Sequence, residues 1–223
     1  MKLEKRSYAG KLFRPTPEIF VDPNGELIIV ATPWGTRTSA ERAVDEISSF
    51  YLSAKDDQDV TSPFDLLTSL SPMENNLRTS ILFANQAIYQ EDNTNEYVSG
   101  SELFVAGKDG DFFFWSQVGN PSLLLKRVGR PLIALSGATD LGLDYSKEVL
   151  LPPIPSELVG LEPTINVRYY NLKLHPGDRI FLLSNSSLEQ PSLLLEEPSI
   201  DELSRTLSRV DGNQPHWVGE ISF

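Results

Sequence analysis

The chain has 223 residues, 40% of them apolar and 22% charged, with a formal net charge of −12 and no cysteine. That length suits one globular domain with a sizeable core spanning residues 1–223, and the composition argues against a disordered chain. The acidic balance disfavours nucleic acid and anionic membrane surfaces as partners, since both call for a basic footprint; the lack of cysteine excludes disulfides, thiolate catalysis and Cys-based zinc sites.

The first ten residues, MKLEKRSYAG, carry charge with no apolar run behind it, so they do not read as a signal peptide. No stretch is long enough to span a bilayer, and a cytoplasmic location is the default expectation. Glu18 to Val21 is a strand candidate, followed by a hairpin turn at Asp22-Pro23-Asn24-Gly25, where Asn-Gly suits positive backbone angles. The return strand, Glu26 to Ala31, runs into a loop that Pro33 and Gly35 should keep irregular. Thr38 to Ala54 is the first helix, with a Thr38/Glu41 capping box and an apolar stripe of Ala40, Ala43, Val44, Ile47, Phe50, Tyr51 and Ala54. A polar excursion precedes a second helix, Met73 to Gln90, with Leu77, Ile81, Ala84 and Ile88 on one face.

The chain then turns to β-structure. Glu102 to Ala106, Asp111 to Val118, Ser122 to Arg127 and Leu132 to Ser136 are strands joined by short glycine-bearing turns. Ala138 to Leu161 is a proline-rich loop, and Thr164 to Asn171 alternates as a strand with Ile165, Val167 and Tyr169 on one face. His175-Pro176-Gly177-Asp178 is turn chemistry, in which Asp178 can bond the turning backbone. It leads into Arg179 to Ser184, an apolar strand buried on both faces. A helix from Ser199 to Val210, with a Ser199/Glu202 capping box, and a strand from Val218 to Phe223 close the chain. Strands, helices, a run of strands, then a helix and a strand imply an α+β fold rather than a parallel doubly wound sheet.

One stretch carries a family pattern. Pro176-Gly177-Asp178-Arg179-Ile180-Phe181-Leu182-Leu183-Ser184 resembles the pGDrlLLxSDG element of the PPM (PP2C-type) metal-dependent Ser/Thr phosphatases. The resemblance extends over almost the whole chain. Arg14 to Ile19 is similar to the family's RxxNED-like opening, and Val30 to Thr36 to its vADGmGG strand end. Ser99-Gly100-Ser101 is similar to its GtT strand start, Val118 to Arg127 to its vGDSRxyLxR strand, and Ala84 to Ile88 to its AN..I helix pattern. The resemblance implies a four-layer αββα sandwich, two antiparallel β-sheets flanked by helices.

It also implies what is missing. The family's metal ligands fall here on Glu18, Ile19, Thr32, Pro33 and Asn185, of which only Glu18 is acidic; Asn120 replaces another Asp. The closing ligand motif falls near Asn213 to Trp217, where no carboxylate stands, and Asp211 is out of register. The family's chemistry is two-metal hydrolysis, in which Mg²⁺ or Mn²⁺ lowers the pKa of a bridging water and clamps the phosphoryl oxygens. Such hard cations want ionised oxygens. Thr32 and Asn185 offer neutral ones. Arg14 matches the family's phosphate-contacting arginine, whose fork suits a phosphate; an exposed or Glu18-paired arginine is the plainer alternative.

Other candidates are weaker. Asp56, Asp57, Asp59 and Asp65 lack the glycine and distal glutamate of a calcium loop. His175 and His216 need not meet, and Ser184, Ser186 and Ser187 have no nucleophile elbow around them. Trp34, in the altered loop, either fills the old pocket or presents an anchor to a partner. Gly107-Lys108-Asp109-Gly110 is a hairpin turn rather than a phosphate loop. The expectation is a pseudophosphatase without catalytic residues, metal or cofactor. It would act in signalling as a regulatory module for a protein partner, phosphorylated or not. The alternative is a divergent Ser/Thr phosphatase with remodelled ligands for Mn²⁺ or Mg²⁺, and a third reading is an assembly domain that reuses the fold.

Overall fold

The computed structural model of the protein describes residues 1–56, 62–142, 151–184, 195–196 and 198–223. Ten strands and three α-helices occur among them: β1 (Lys2–Tyr8), β2 (Glu18–Val21), β3 (Leu27–Gly35), α1 (Thr38–Asp56), α2 (Pro72–Ala87), β4 (Ser99–Asp109), β5 (Phe112–Val118), β6 (Ser122–Lys126), β7 (Ile133–Ser136), β8 (Arg168–Lys173), β9 (Arg179–Leu183), α3 (Ile200–Val210) and β10 (His216–Ser222). They form two compact units, each on one five-stranded antiparallel sheet.

The unit of Pro17–Val118 and Glu157–Leu174 holds the sheet β2-β3-β4-β5-β8. Helix α1 lays Ala40, Ala43, Val44, Ile47 and Tyr51 into a core shared with Leu27, Ile29 and Ala31 of β3 and with Leu77, Ile81 and Ala84 of α2. The expected stripes are therefore the buried ones, because a 3.6-residue period keeps such positions on one face. Ser71 caps α2 in a reciprocal box with Glu74 that was not among the expectations. Thr38, by contrast, lies inside α1 as its first residue, its hydroxyl 2.9 Å from Thr36 Oγ1. The second helix does not run unbroken to Gln90: at Ile88–Asp92 it widens into a π-helical turn, and Asn93 N–H donates to Ile88 O (3.1 Å).

Asn93 explains why the chain stops there. Its buried amide donates to Ser99 O (2.7 Å) and Gly160 O (2.6 Å), and its Oδ1 accepts from Val98 N and Ser99 N (3.0 Å each). One side chain so ties the start of β4 to the loop before β8. Asn85 does similar work one turn earlier, donating to Glu162 O and accepting from Gly160 N. In the β2–β3 turn only Gly25 takes a positive φ (68°), not Asn24. Asp22 makes the difference, its buried Oδ2 accepting from Asn24 N at 2.9 Å.

The expected loop after Ala31 is strand instead. β3 continues through Thr32, Pro33, Trp34 and Gly35, opposite Glu102, Ser101, Gly100 and Ser99 of β4. Pairing with β2 ends at Glu18↔Ala31, so beyond it β3 has a neighbour on one side only. Proline lacks a donor, and on that open side no ladder bond is lost. β8 begins at Arg168 rather than Thr164; of the predicted stripe, Val167 is buried and Tyr169 is partly exposed.

The unit of Met1–Thr16, Gly119–Ser156 and His175–Phe223 holds the sheet β1-β10-β9-β6-β7. Its core joins Leu124 of β6, Phe181 and Leu183 of β9 and Val218 of β10 to Leu203 and Leu207 of α3. β9 is buried along most of its length, as expected of a central strand. β1 was not expected: LysLeuGluLysArgSerTyr has no apolar alternation, and its strand form comes from pairing with β10 over Lys2↔Ser222 to Tyr8↔His216. Ser199 Oγ accepts from Glu202 N (3.2 Å) at the start of α3. Among the described residues no helix is long and apolar enough to cross a membrane.

Candidate functional site

The strand ends of β2, β3 and β4 gather several residues that the family resemblance singles out. Glu18 opens β2, and its carboxylate accepts from Arg37 Nη2 at 3.2 Å. Ile19 is half-buried opposite Val30. Thr32 is buried and sits across from Glu102, itself 1% exposed. Side chains two apart on a strand share a face, so Thr32, Trp34 and Glu102 stand together on the face opposite Leu27, Ile29 and Ala31. There Trp34 Nε1 donates to Glu102 Oε2 at 3.0 Å. Trp34 thus packs within the sheet's own polar pair instead of lying in an open loop. Glu102 was not anticipated, because only its partner across the ladder made it part of this cluster.

A pair of divalent ions does not fit these donors. Thr32 offers a neutral hydroxyl, Ile19 none, and Pro33 is held in the ladder opposite Ser101. One oxygen of Glu102 is taken by the indole, and Glu18 by Arg37. Among the described residues no group of three or more histidine, aspartate or glutamate side chains is placed to hold a metal ion. Asn185, Ser186, Ser187, Asp57 and Asp59 lie outside the described residues.

In the other unit the segment bearing Arg14 is fixed by a turn. Asp211 Oδ1 accepts from Asn213 N (2.8 Å), closing the turn after α3. Asn213 O in turn accepts from Lys11 N (2.8 Å) and Leu12 N (3.0 Å). Gly10, at φ 51°, passes so close that a Cβ there would lie 2.5 Å from Pro215 N. Asp211 is therefore occupied with the backbone. The guanidinium of Arg14 is partly enclosed, with Nε and Nη1 shielded from solvent.

His216 is buried, stacked on Tyr8 with ring centroids 5.0 Å apart, and its Nε2 lies 3.0 Å from Ser204 Oγ. Burial pushes its pKa down; hydrogen bonds at Gln214 and Ser204 oppose that, and the Arg14 charge adds to it. The neutral imidazole ties α3 to β10. With both members buried and no carboxylate bonded to the ring, the Ser204–His216 pair is structural. His175 is exposed in its turn.

The best-built polar constellation is one step from the chemistry. Arg127, just past β6, grips Asp178 with two prongs, Nε to Oδ1 at 3.0 Å and Nη2 to Oδ2 at 2.7 Å. His175 N–H donates to the same carboxylate at 2.9 Å. Burial alone would raise the Asp178 pKa; the Arg127 and His175 bonds outweigh it and bring it below the usual carboxylate range. Asp178 is thus the turn-bonding residue expected, and Arg127 its partner. Both residues lie in matched motifs, which was the signal available for pairing them.

This fold is that of the PPM (PP2C-type) Ser/Thr phosphatases. The PPM Ser-Thr phosphatase MsPP of Mycobacterium smegmatis, solved in complex with cacodylate, superposes with a TM-score of 0.68 over 100% of this chain and 98% of its own, at 15% identity. PppA, a key regulatory component of the T6SS in Pseudomonas aeruginosa, gives 0.66 over 100% and 97%, at 19% identity. The serine/threonine phosphatase PstP/Ppp of Mycobacterium tuberculosis gives 0.63 over 98% and 97%, at 18% identity. No protein-family model matches the sequence, and no curated protein matches it.

Proposed function

We propose that the chain is a catalytically inert PP2C-like protein, a pseudophosphatase that binds a protein partner and regulates by occupancy, with no metal cofactor. The observation that carries this reading is the course of β3. The segment that would present a bridging carboxylate and a carbonyl ligand is instead four more residues of ladder, with Thr32 at the first position and Pro33 at the second. A metal site needs its coordinating oxygens before anything else. The expected result is no hydrolysis of an aryl phosphate or phosphopeptide above the protein-free rate in excess Mn²⁺. Turnover that a chelator abolishes would overturn the proposal.

Glu102 favours a second reading, a divergent phosphatase with remodelled ligands, because it places one unexpected carboxylate beside Thr32. Calorimetric titration with Mn²⁺ separates the two: a saturable two-ion isotherm supports the divergent enzyme, and its absence supports the inert one.

Arg14 offers the partner a phosphate contact. Shielding of Nε and Nη1 strengthens its attraction for an anion, because charge interactions grow as the local dielectric falls. Arg14→Ala is then expected to weaken binding of a phosphothreonine peptide by more than ~1 kcal/mol, read by fluorescence polarisation. If the wild-type protein binds no such peptide, the partner is recognised without phosphate.

A further inference from the structure

A cleft of about 800 Å³ opens between α1, α2, the segment at residues 62–70 and the β4–β5 hairpin. Its size lies within the range of small-molecule sites, roughly 300–1,000 Å³. Glu26, at its rim, precedes Thr32 by six residues, about 20 Å along an extended chain at ~3.3 Å per residue. The cleft is therefore remote from the Thr32 end of β3.

Its walls differ at the two ends. The body is apolar, formed by Phe50, Ala54, Leu66, Leu70 and Met73. Gly107 keeps the floor open: a Cβ there would stand 3.0 Å from Tyr51 Oη and 3.2 Å from Met73 Sδ. The other end carries Glu26, Asp109 and Lys108 around the Tyr51 hydroxyl. Two carboxylates against one ammonium leave that end negative. Tyr51 registers it: burial first, then Glu26, Asp22 and Asp109, push its pKa up to about 12. Its hydroxyl has only Met73 Sδ within 3.5 Å, a weak acceptor.

Thr79 points to an occupant. It lines the cleft at 1% exposure, and among the described residues its Oγ1 has no hydrogen-bond partner. A helical threonine ordinarily turns its hydroxyl back to the carbonyl four residues earlier. Leaving such a group buried and unmatched is unfavourable, and a polar atom on a ligand would relieve it.

We propose that this cleft binds a small amphipathic amine, with its ammonium between Glu26 and Asp109, its hydrocarbon body between the helices, and a hydroxyl within reach of Thr79. Tyramine is a suitable probe. Met1 and Met73 are the only methionines, so methyl-labelled methionine gives two resonances, one inside the cleft and one far along the chain. Titration with tyramine should shift the Met73 methyl saturably and leave that of Met1 in place. Glu26→Gln should weaken binding about threefold or more, as expected of a part-exposed charge pair. 4-Ethylphenol, which lacks the amine, should bind the wild type more weakly than tyramine and be indifferent to Glu26→Gln. Ala54→Phe should fill the cleft and remove the shift; because it can also disturb packing, the comparison of amine with phenol decides the matter without it. No saturable Met73 shift, equal binding of the two compounds, or undiminished binding by a folded Ala54→Phe protein would each overturn the proposal.

Discussion

Arg127→Ala is expected to lower the free energy of unfolding by about 3–5 kcal/mol, read from urea denaturation at neutral pH. Asp178 has a side chain 1% exposed, and its two oxygens hold both prongs of Arg127 and the His175 N–H. Removing the cation leaves a buried carboxylate without its counter-charge, which is the costly way to break such a pair. Replacing both partners, Arg127→Ala with Asp178→Asn, should recover part of the loss, since the stranded charge is gone. A loss below ~1 kcal/mol for Arg127→Ala would place the pair with ordinary surface salt bridges. The same pair sets an acid limb. A carboxylate whose folded pKa is depressed contributes stability that is present above its unfolded pKa, ~3.9, and is lost as pH falls through the folded value. The wild type should therefore lose stability on acidification below about pH 4, and Asp178→Asn should flatten that slope.

Asn93→Asp is the second large effect expected. The amide nitrogen of Asn93 faces two carbonyl oxygens, Ser99 O and Gly160 O. An ionised aspartate there would turn an oxygen toward both, buried and unsatisfied, at a cost of roughly 3 kcal/mol or more. Burial raises the pKa of such a carboxyl. Its protonated form can donate one hydrogen bond, so the variant should regain stability as pH falls toward 5, while the wild type does not. Thermal unfolding at the two pH values checks this. A variant equally unstable at both would mean that the two carbonyls rearrange to avoid the charge.

Much of the fold was readable because its signals are local. The α1 and α2 stripes, the strand from Arg179 and the turns at Gly25, Gly110 and Gly177 each depend on residues a few positions apart. What escaped depends on distant partners. β1 has the composition of a charged surface segment and is a strand only because β10 lies beside it. Thr32 to Gly35 contains proline and glycine and reads as a loop; β4 makes it a strand. The candidate site divides in the same way. Thr32, Pro33, Glu18 and Arg14 were legible through the family motifs, whereas Glu102 joined them only through the β3–β4 register. Its bond to Trp34 spans 68 residues of sequence. The Arg127–Asp178 grip spans 51, so no periodicity could announce it.

The pairing of β1 with β10 has a consequence for the order in which the chain can complete itself. β1 lies at the sheet edge with β10 as its sole strand neighbour. The first strand to leave a ribosome thus has no partner until the last residues are made. Contacts of that sequence separation are slow to close, because the chain entropy between their ends must be lost first. The sheet β2-β3-β4-β5-β8 is complete by Lys173 and has no such wait. In the interval Lys2, Glu4, Lys5 and Arg6 serve a purpose that the folded sheet does not reveal. An unpartnered strand is a template for aggregation, and charges along it are what keep another chain from pairing there first.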